Sequence, residues 1–279
     1  MKKMLNFLFW FLCVASSVAF AGNEEQVCNK LIIDMVGQHL GVKNFWLSRY
    51  IPSEDRNAED QHNGGIIVAQ VCKPSLQSNK VVMVAIAYKP EVGGKLDAEY
   101  DKYMFVAIVN VATKHIVSNY QKVMYGDSVT DIDENSLMFD IVSYQLNKNT
   151  RAFGLRVQNN ARRPSCAEAD WDDELNLFVQ KGKKLQPVFE STMFNQQSLK
   201  GCLSVQSTDA FWETTFSTIK VLNTHTLGYS DLLRTNKVET GGANENVEYA
   251  KPRLDYCKLR YDGTKYISQK QCTKLQPNL

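Results

Sequence analysis

Short apolar runs rich in β-branched residues, each closed by a turn, constrain this chain more than any other feature. "IIVAQVCKP" (66–74) and "KVVMVAIAYKP" (80–90) both end in Lys-Pro, and runs of that length and composition read as strands bounded by breakers. "YMFVAIVNVATKHIVSNYQKV" holds two runs around Ala112-Thr113-Lys114, and "SLMFDIVSYQL" and "RAFGLRVQ" flank Asn147-Lys148-Asn149. "LNLFVQKGKKLQPVFEST" turns at Lys181-Gly182-Lys183, and "WETTFSTIKVL" is strand-like through its threonines. "YCKLRYDGTKYISQ" turns at Asp262-Gly263, a two-residue hairpin signal. The expected fold is mainly β, an antiparallel meander of repeated hairpins. A small propeller and a sandwich both accommodate such recurrence, and the pattern does not separate them.

One helix precedes the strands. Residues 23–40 place Val27, Leu31, Ile32, Met35, Val36 and Leu40 at near-helical spacing, with Asn23 as the expected cap. Residues 53–65, "SEDRNAEDQHNGG", are polar and end in glycine, which predicts an exposed loop. Ahead of the helix, Lys2-Lys3, the apolar "MLNFLFWFLCVASSVAF" and Ala19-Phe20-Ala21 form the pattern of a cleaved export signal. The run is short for a span, which takes roughly 20 apolar residues. The expected organisation is a signal peptide over 1–21, a helix and loop over 22–65, and a β-rich domain over 66–279, with the product periplasmic or secreted and not inserted in the membrane.

Cysteine usage agrees with export. Of seven cysteines, Cys13 lies in the leader, leaving Cys28, Cys72, Cys166, Cys202, Cys257 and Cys272. An even count in an exported chain points to disulfides. The connectivity is open from sequence. Nearest-neighbour pairing, Cys28–Cys72, Cys166–Cys202 and Cys257–Cys272, closes the shortest loops at least entropic cost. No C-x-x-C occurs, and His39, His62, His115 and His225 have no zinc-type spacing with the cysteines, so no metal or other cofactor is expected. Without the leader's lysines the chain carries 30 basic and 30 acidic residues, and no basic stripe suggests a nucleic-acid partner.

Four stretches invite chemistry. "MYGDSVTDIDEN" (124–135) contains Gly126-Asp127-Ser128, a block found in one esterase class. There the serine lies near the mature amino terminus and its histidine near the carboxyl end, whereas here Ser128 is mid-chain and no histidine follows His225. Asp131, Asp133 and Asn135 begin a calcium-loop pattern, but Ser136 and Val142 stand where the glycine and bidentate glutamate belong. A β-turn is the simpler reading. Ser217-x-x-Lys220 matches an acylating motif but lies in a β-rich run without its companion motifs. Trp46, Trp171 and Trp212 could stack on a sugar, yet aromatics in β proteins usually serve the core, and no sugar site is assigned to them.

The fourth stretch is "CAEADWDDE" (166–174) after "ARRP" (161–164). Two catalytic carboxylates would have to face one another across a cleft, and neighbouring acids in one solvated loop do not. As a recognition loop it has more to offer. Trp171 supplies area, Arg162, Arg163, Asp170, Asp172 and Asp173 supply specificity, and Cys166 anchors the loop. These six residues are the candidate binding set, and no catalytic residue is assigned.

"RAFGLRVQNNARRPSC", "LNLFVQKGKKLQPVF" and "GCLSV" resemble segments of uncharacterised exported proteobacterial proteins, over roughly residues 100–205. The resemblance implies an envelope location and no activity. Two functions remain in view. One is a non-enzymatic periplasmic protein that recognises another protein, as an inhibitor or immunity factor or within an envelope assembly. The other is a hydrolase or lyase whose acids or histidines converge only in three dimensions.

Overall fold

The computed structural model describes residues 28–42, 44–47, 64–75, 78–92, 95–96, 102–124, 130–161, 164–203, 210–243 and 250–268. The expected leader, most of the 53–65 loop, Arg162, Arg163, Cys272 and the Gly126-Asp127-Ser128 block lie outside them. The described chain is mainly β, with one helix, α1 (Lys30–Leu40), and fifteen strands. They are β1 (Asn44–Leu47), β2 (Gly64–Ser75), β3 (Ser78–Val92), β4 (Lys95–Leu96), β5 (Lys102–Asn110), β6 (His115–Met124), β7 (Leu137–Phe139) and β8 (Tyr144–Gln145). Then come β9 (Arg151–Gln158), β10 (Ala169–Lys181), β11 (Lys184–Lys200), β12 (Phe211–Thr226), β13 (Tyr229–Gly242), β14 (Arg253–Tyr261) and β15 (Tyr266–Ser268).

The helix starts later than its periodicity predicts. Asn29 is the cap rather than Asn23, its side chain accepting from the Ile32 amide at 3.0 Å. Gly41 ends it at φ 74°, a left-handed conformation that only glycine adopts without penalty. Ile32, Met35 and Val36 form the buried stripe, and the Cys28–Cys72 disulfide ties the helix to β2 as nearest-neighbour pairing predicts.

All fifteen strands belong to one sheet, mostly antiparallel. Its longest path runs β1-β2-β3-β5-β6-β11-β12-β13-β14-β15, with β10 beside β11, β9 beside β10, and β7 and β8 beside β9. Strands β1 and β15 stand at the ends and do not pair, so the sheet is not a closed barrel. A propeller would divide these hairpins into separate blades. Here hydrogen bonding is continuous, and the sheet folds back on itself into layers.

Burial explains the strand patterns. One face of β2, β3 and β5 packs under α1 through Ile67, Val84, Ile86, Phe105 and Ala107. The other face, with Val71, Ala85, Ala87, Met104 and Val106, packs on Leu137, Phe139, Leu155, Val157 and Phe178. Strands buried on both sides have no polar face to show, so β3 and β5 read as unbroken apolar runs rather than alternating ones. Strand β10 is buried the same way: Phe178 faces the first half, while Leu175, Leu177 and Val179 face Leu232, Leu259, Tyr261 and Tyr266. The β12–β15 end therefore curls over the far side of β9 and β10. Hydrogen bonds from Lys181 Nζ to Tyr261 Oη (3.2 Å) and Gln186 Nε2 to the Thr264 carbonyl (2.7 Å) hold the curl.

Most expected turns are present. Residues 111–114 join β5 to β6, and Gly182 turns β10 into β11 at φ 60°. The Asp262-Gly263 turn is longer than the two residues its sequence suggests, because Asp262 Oδ1 accepts from the Thr264 and Lys265 amides and closes a four-residue loop. "SLMFDIVSYQL" is not one strand. Asp140 breaks it, accepting from the Val142 amide (3.1 Å) and from Tyr144 Oη (2.9 Å). Among the described residues no helix is long and apolar enough to cross a membrane.

Candidate functional site

The acidic stretch around Trp171 is a strand rather than the expected solvated loop. Strand β10 reaches back to Ala169 because β11 offers it partners: Ala169 pairs with Gln197, Asp170 with Gln196 and Trp171 with Asn195. Register irregularities between Trp171 and Asp173 and between Asp173 and Glu174 then separate residues that sequence proximity would keep together. Asp170 and Trp171 are half-buried and line a cleft of about 510 Å³. Asp172 is exposed. Asp173 turns to Arg156, and Glu174 turns to Lys122 at 3.5 Å. Of the candidate binding set, the structure brings Asp170 and Trp171 to one cleft and leaves Asp172 and Asp173 out of its lining.

Asn159 sets the cleft's position. Nine-tenths buried, its side chain accepts from the Asp131 amide (2.9 Å) and the Ala161 amide (3.2 Å) and donates to the Trp171 carbonyl (3.1 Å). Its backbone amide also donates to the Asp172 carbonyl at 2.9 Å. One residue thereby ties the loop wall, formed by Ala161 and Pro164, to the Trp171 strand. Cys166, between the lining residues Pro164 and Ala169, is bonded to Cys202 just past β11, the pairing expected from sequence. The Leu203 amide donates to the Ala167 carbonyl (2.8 Å), and the Ser198 amide to that of Glu168 (2.7 Å). Cys257 is also disulfide-bonded, and Cys272, its expected partner, lies outside the described residues.

Two charge clusters stand next to the cleft. Burial disfavours the Lys122 ammonium, but Glu174 and Glu190 outweigh it and raise its pKa. Arg156 pairs with Asp173 and, at 3.4 Å, with Asp140, which also accepts from Tyr144. Burial raises the Asp173 pKa against the pull of Arg156, and burial and the neighbouring Asp140 raise that of Tyr144.

The chain matches no protein-family model, no curated protein and no solved structure.

The remaining sequence candidates resolve individually. Asp133 Oδ1 accepts from the Asn135 amide (2.8 Å) and from Asn160 Nδ2 (2.7 Å), while Asp131 takes the Lys102 ammonium at 2.7 Å. The calcium-like stretch is thus a turn whose carboxylates serve the Asn135 amide and the side chains of Asn160 and Lys102. Ser217 and Lys220 are three apart on β12, so they point to opposite faces. Ser217 Oγ accepts from Arg234 (3.0 Å) and donates to Asn236 Oδ1 (2.8 Å). Trp212 pairs with Ser198, on the face opposite to Trp171, so these two indoles form no common surface.

His225 was not expected to have a serine beside it. Ser230 Oγ lies 3.2 Å from His225 Nε2, in a second depression of about 410 Å³ that also holds Gln145 and Asn147. The adjacent Asp231 carboxylate faces elsewhere, accepting from Thr224 and Thr226 (both 2.7 Å) and pairing with Lys258 (2.9 Å). His115 is exposed beside the β5–β6 turn.

The sequence reading missed Asn159, Asn195 and Gln197. The last two alternate along "MFNQQSLK", the polar end of a strand whose earlier part is buried. That alternation was the available signal.

Proposed function

We propose that the chain is an exported, non-enzymatic binding protein of the bacterial periplasm that recognises another protein through the Trp171 cleft. It would act as an inhibitor or immunity factor, or within an envelope assembly. The observation that carries this reading is the cleft itself. It opens beside the indole selected from sequence, and the segments that line it are tied down by the Cys166–Cys202 disulfide and by the hydrogen bonds of Asn159. A site fixed before binding loses little entropy on association, and tryptophan is enriched among residues that dominate binding energy. Two disulfides within the described residues support an oxidising compartment, and the leader read over residues 1–21 supports the periplasm.

The competing hydrolase reading draws on the Ser230–His225 contact. Three facts count against it. Ser230 is buried, at 6% exposure. Its amide and carbonyl are taken by the Leu146 carbonyl and Tyr266 Oη. Among the described residues no carboxylate lines the depression to orient the imidazole.

Retention of partners from periplasmic extract on immobilised wild type and Trp171→Ala tests the proposal. The expected result is at least one partner held by wild type and lost, at least tenfold, from a variant that melts near normally. Identical partners on both would overturn it. A fluorophosphonate probe should leave Ser230 unlabelled, and stoichiometric labelling would favour the hydrolase.

A further inference from the structure

We propose that the cleft reads the backbone of an extended peptide laid along β11, with Asn195 and Gln197 as its amide contacts and Trp171 as its apolar anchor. This rests on the partner-binding function proposed above and names the form its ligand takes.

Asn195 and Gln197 are exposed, and neither side chain hydrogen-bonds to a described residue. Gln196 between them points to the other face and donates to Thr214 Oγ1 at 3.2 Å. A primary amide presents a donor beside an acceptor, the same pair that a peptide group offers in reverse. Residues two apart on a strand share a face about 6.6 Å apart. The peptide groups on one side of an extended chain repeat at that same interval. Two amides so spaced match alternate peptide groups of a chain running along β11.

The neighbours support this occupant. In register, Trp171 lies beside Asn195 and Ala169 beside Gln197, so an indole stands next to a methyl group and forms a step. An apolar side chain of the peptide fits against that step. Beyond it Glu213 pairs with Gln197, and its charge is met by Arg253 at 2.9 Å.

Adding a strand to β10 is not the mode. The Trp171 and Asp172 carbonyls already accept from Asn159, and β11 is paired on both sides over residues 194–197. Side chains are left to do the recognition.

A displayed library of linear peptides, selected on the disulfide-bonded mature chain and counter-selected on Asn195→Ala/Gln197→Ala, tests the inference. Both residues are exposed, so the double variant should melt like wild type. The selected peptide is then N-methylated one backbone position at a time. The expected result is binding at least tenfold weaker at alternate positions, little changed at those between, and lost in the double variant. Enrichment that does not depend on the two amides, no enrichment, or an N-methyl scan without alternation would overturn it. So would chito-oligosaccharide binding that requires the same amides. If envelope partners depend on Trp171 while no peptide depends on the amides, the binding function stands and the peptide reading falls. If the partners ignore Trp171, the function itself falls.

Discussion

Replacing Asn159 with alanine tests whether one buried amide sets the geometry of the cleft. The side chain makes at least three hydrogen bonds, to the Asp131 and Ala161 amides and to the Trp171 carbonyl. At about 1 kcal/mol net each, their loss costs about 3 kcal/mol, and the backbone groups left dry push the cost upward. For a domain of this size that lowers Tm by roughly 6–12 °C. Urea unfolding followed by tryptophan fluorescence measures it. Asn159→Asp is the informative companion, because its carboxylate still accepts from both amides but cannot donate to the Trp171 carbonyl. At neutral pH it should be at least as destabilising as alanine, because a buried carboxylate would face that carbonyl, and it should recover as the pH falls and the carboxyl protonates. A loss below about 0.5 kcal/mol for Asn159→Ala would refute the reasoning, since three real hydrogen bonds cannot vanish so cheaply.

Other perturbations follow from the same structure. Gly154→Ala should destabilise by about 1–3 kcal/mol, because the new methyl would lie 2.8 Å from Asp140 Cβ and 2.9 Å from Leu175 Cδ1. Strand propensity alone predicts a gain, so the sign measured by denaturation decides. Burial opposes ionisation of Asp231, but Thr226, Thr224 and Lys258 outweigh it and hold its pKa at about 2. A folded pKa below the unfolded carboxylate value means this stabilisation is complete above about pH 4. It is lost as the pH falls from there to about 2. Asp231→Asn should flatten that acid limb of a stability–pH curve. Cys166→Ser/Cys202→Ser opens a disulfide of sequence separation 36 and should cost roughly 4 kcal/mol by loop entropy, read by thermal melting with and without reductant.

The sequence determined the β class, the single amino-terminal helix, most turns and two disulfide pairs, because each rests on local chemistry. β-Branched runs favour extended backbone, Gly182 permits a left-handed turn, and cysteines near in sequence close at least entropic cost. What it misjudged lay wherever long-range partners outvoted local preference. "CAEADWDDE" is acidic enough to read as a loop, yet β11 pairs with it from Ala169 and makes it strand. Asp140 breaks "SLMFDIVSYQL" because Tyr144 and Arg156 wait for its carboxylate. The continuous, layered sheet, rather than separate propeller blades, was decided only by which apolar faces meet, since a strand buried on both sides carries no label for its two neighbours. The cleft belongs to the same category. Trp171 could be chosen from its chemistry, but Asn159, Asn195 and Gln197 could not. Their roles exist only once β10, β11 and the 159–161 segment are side by side, and a lone amide says nothing in sequence about what it will face.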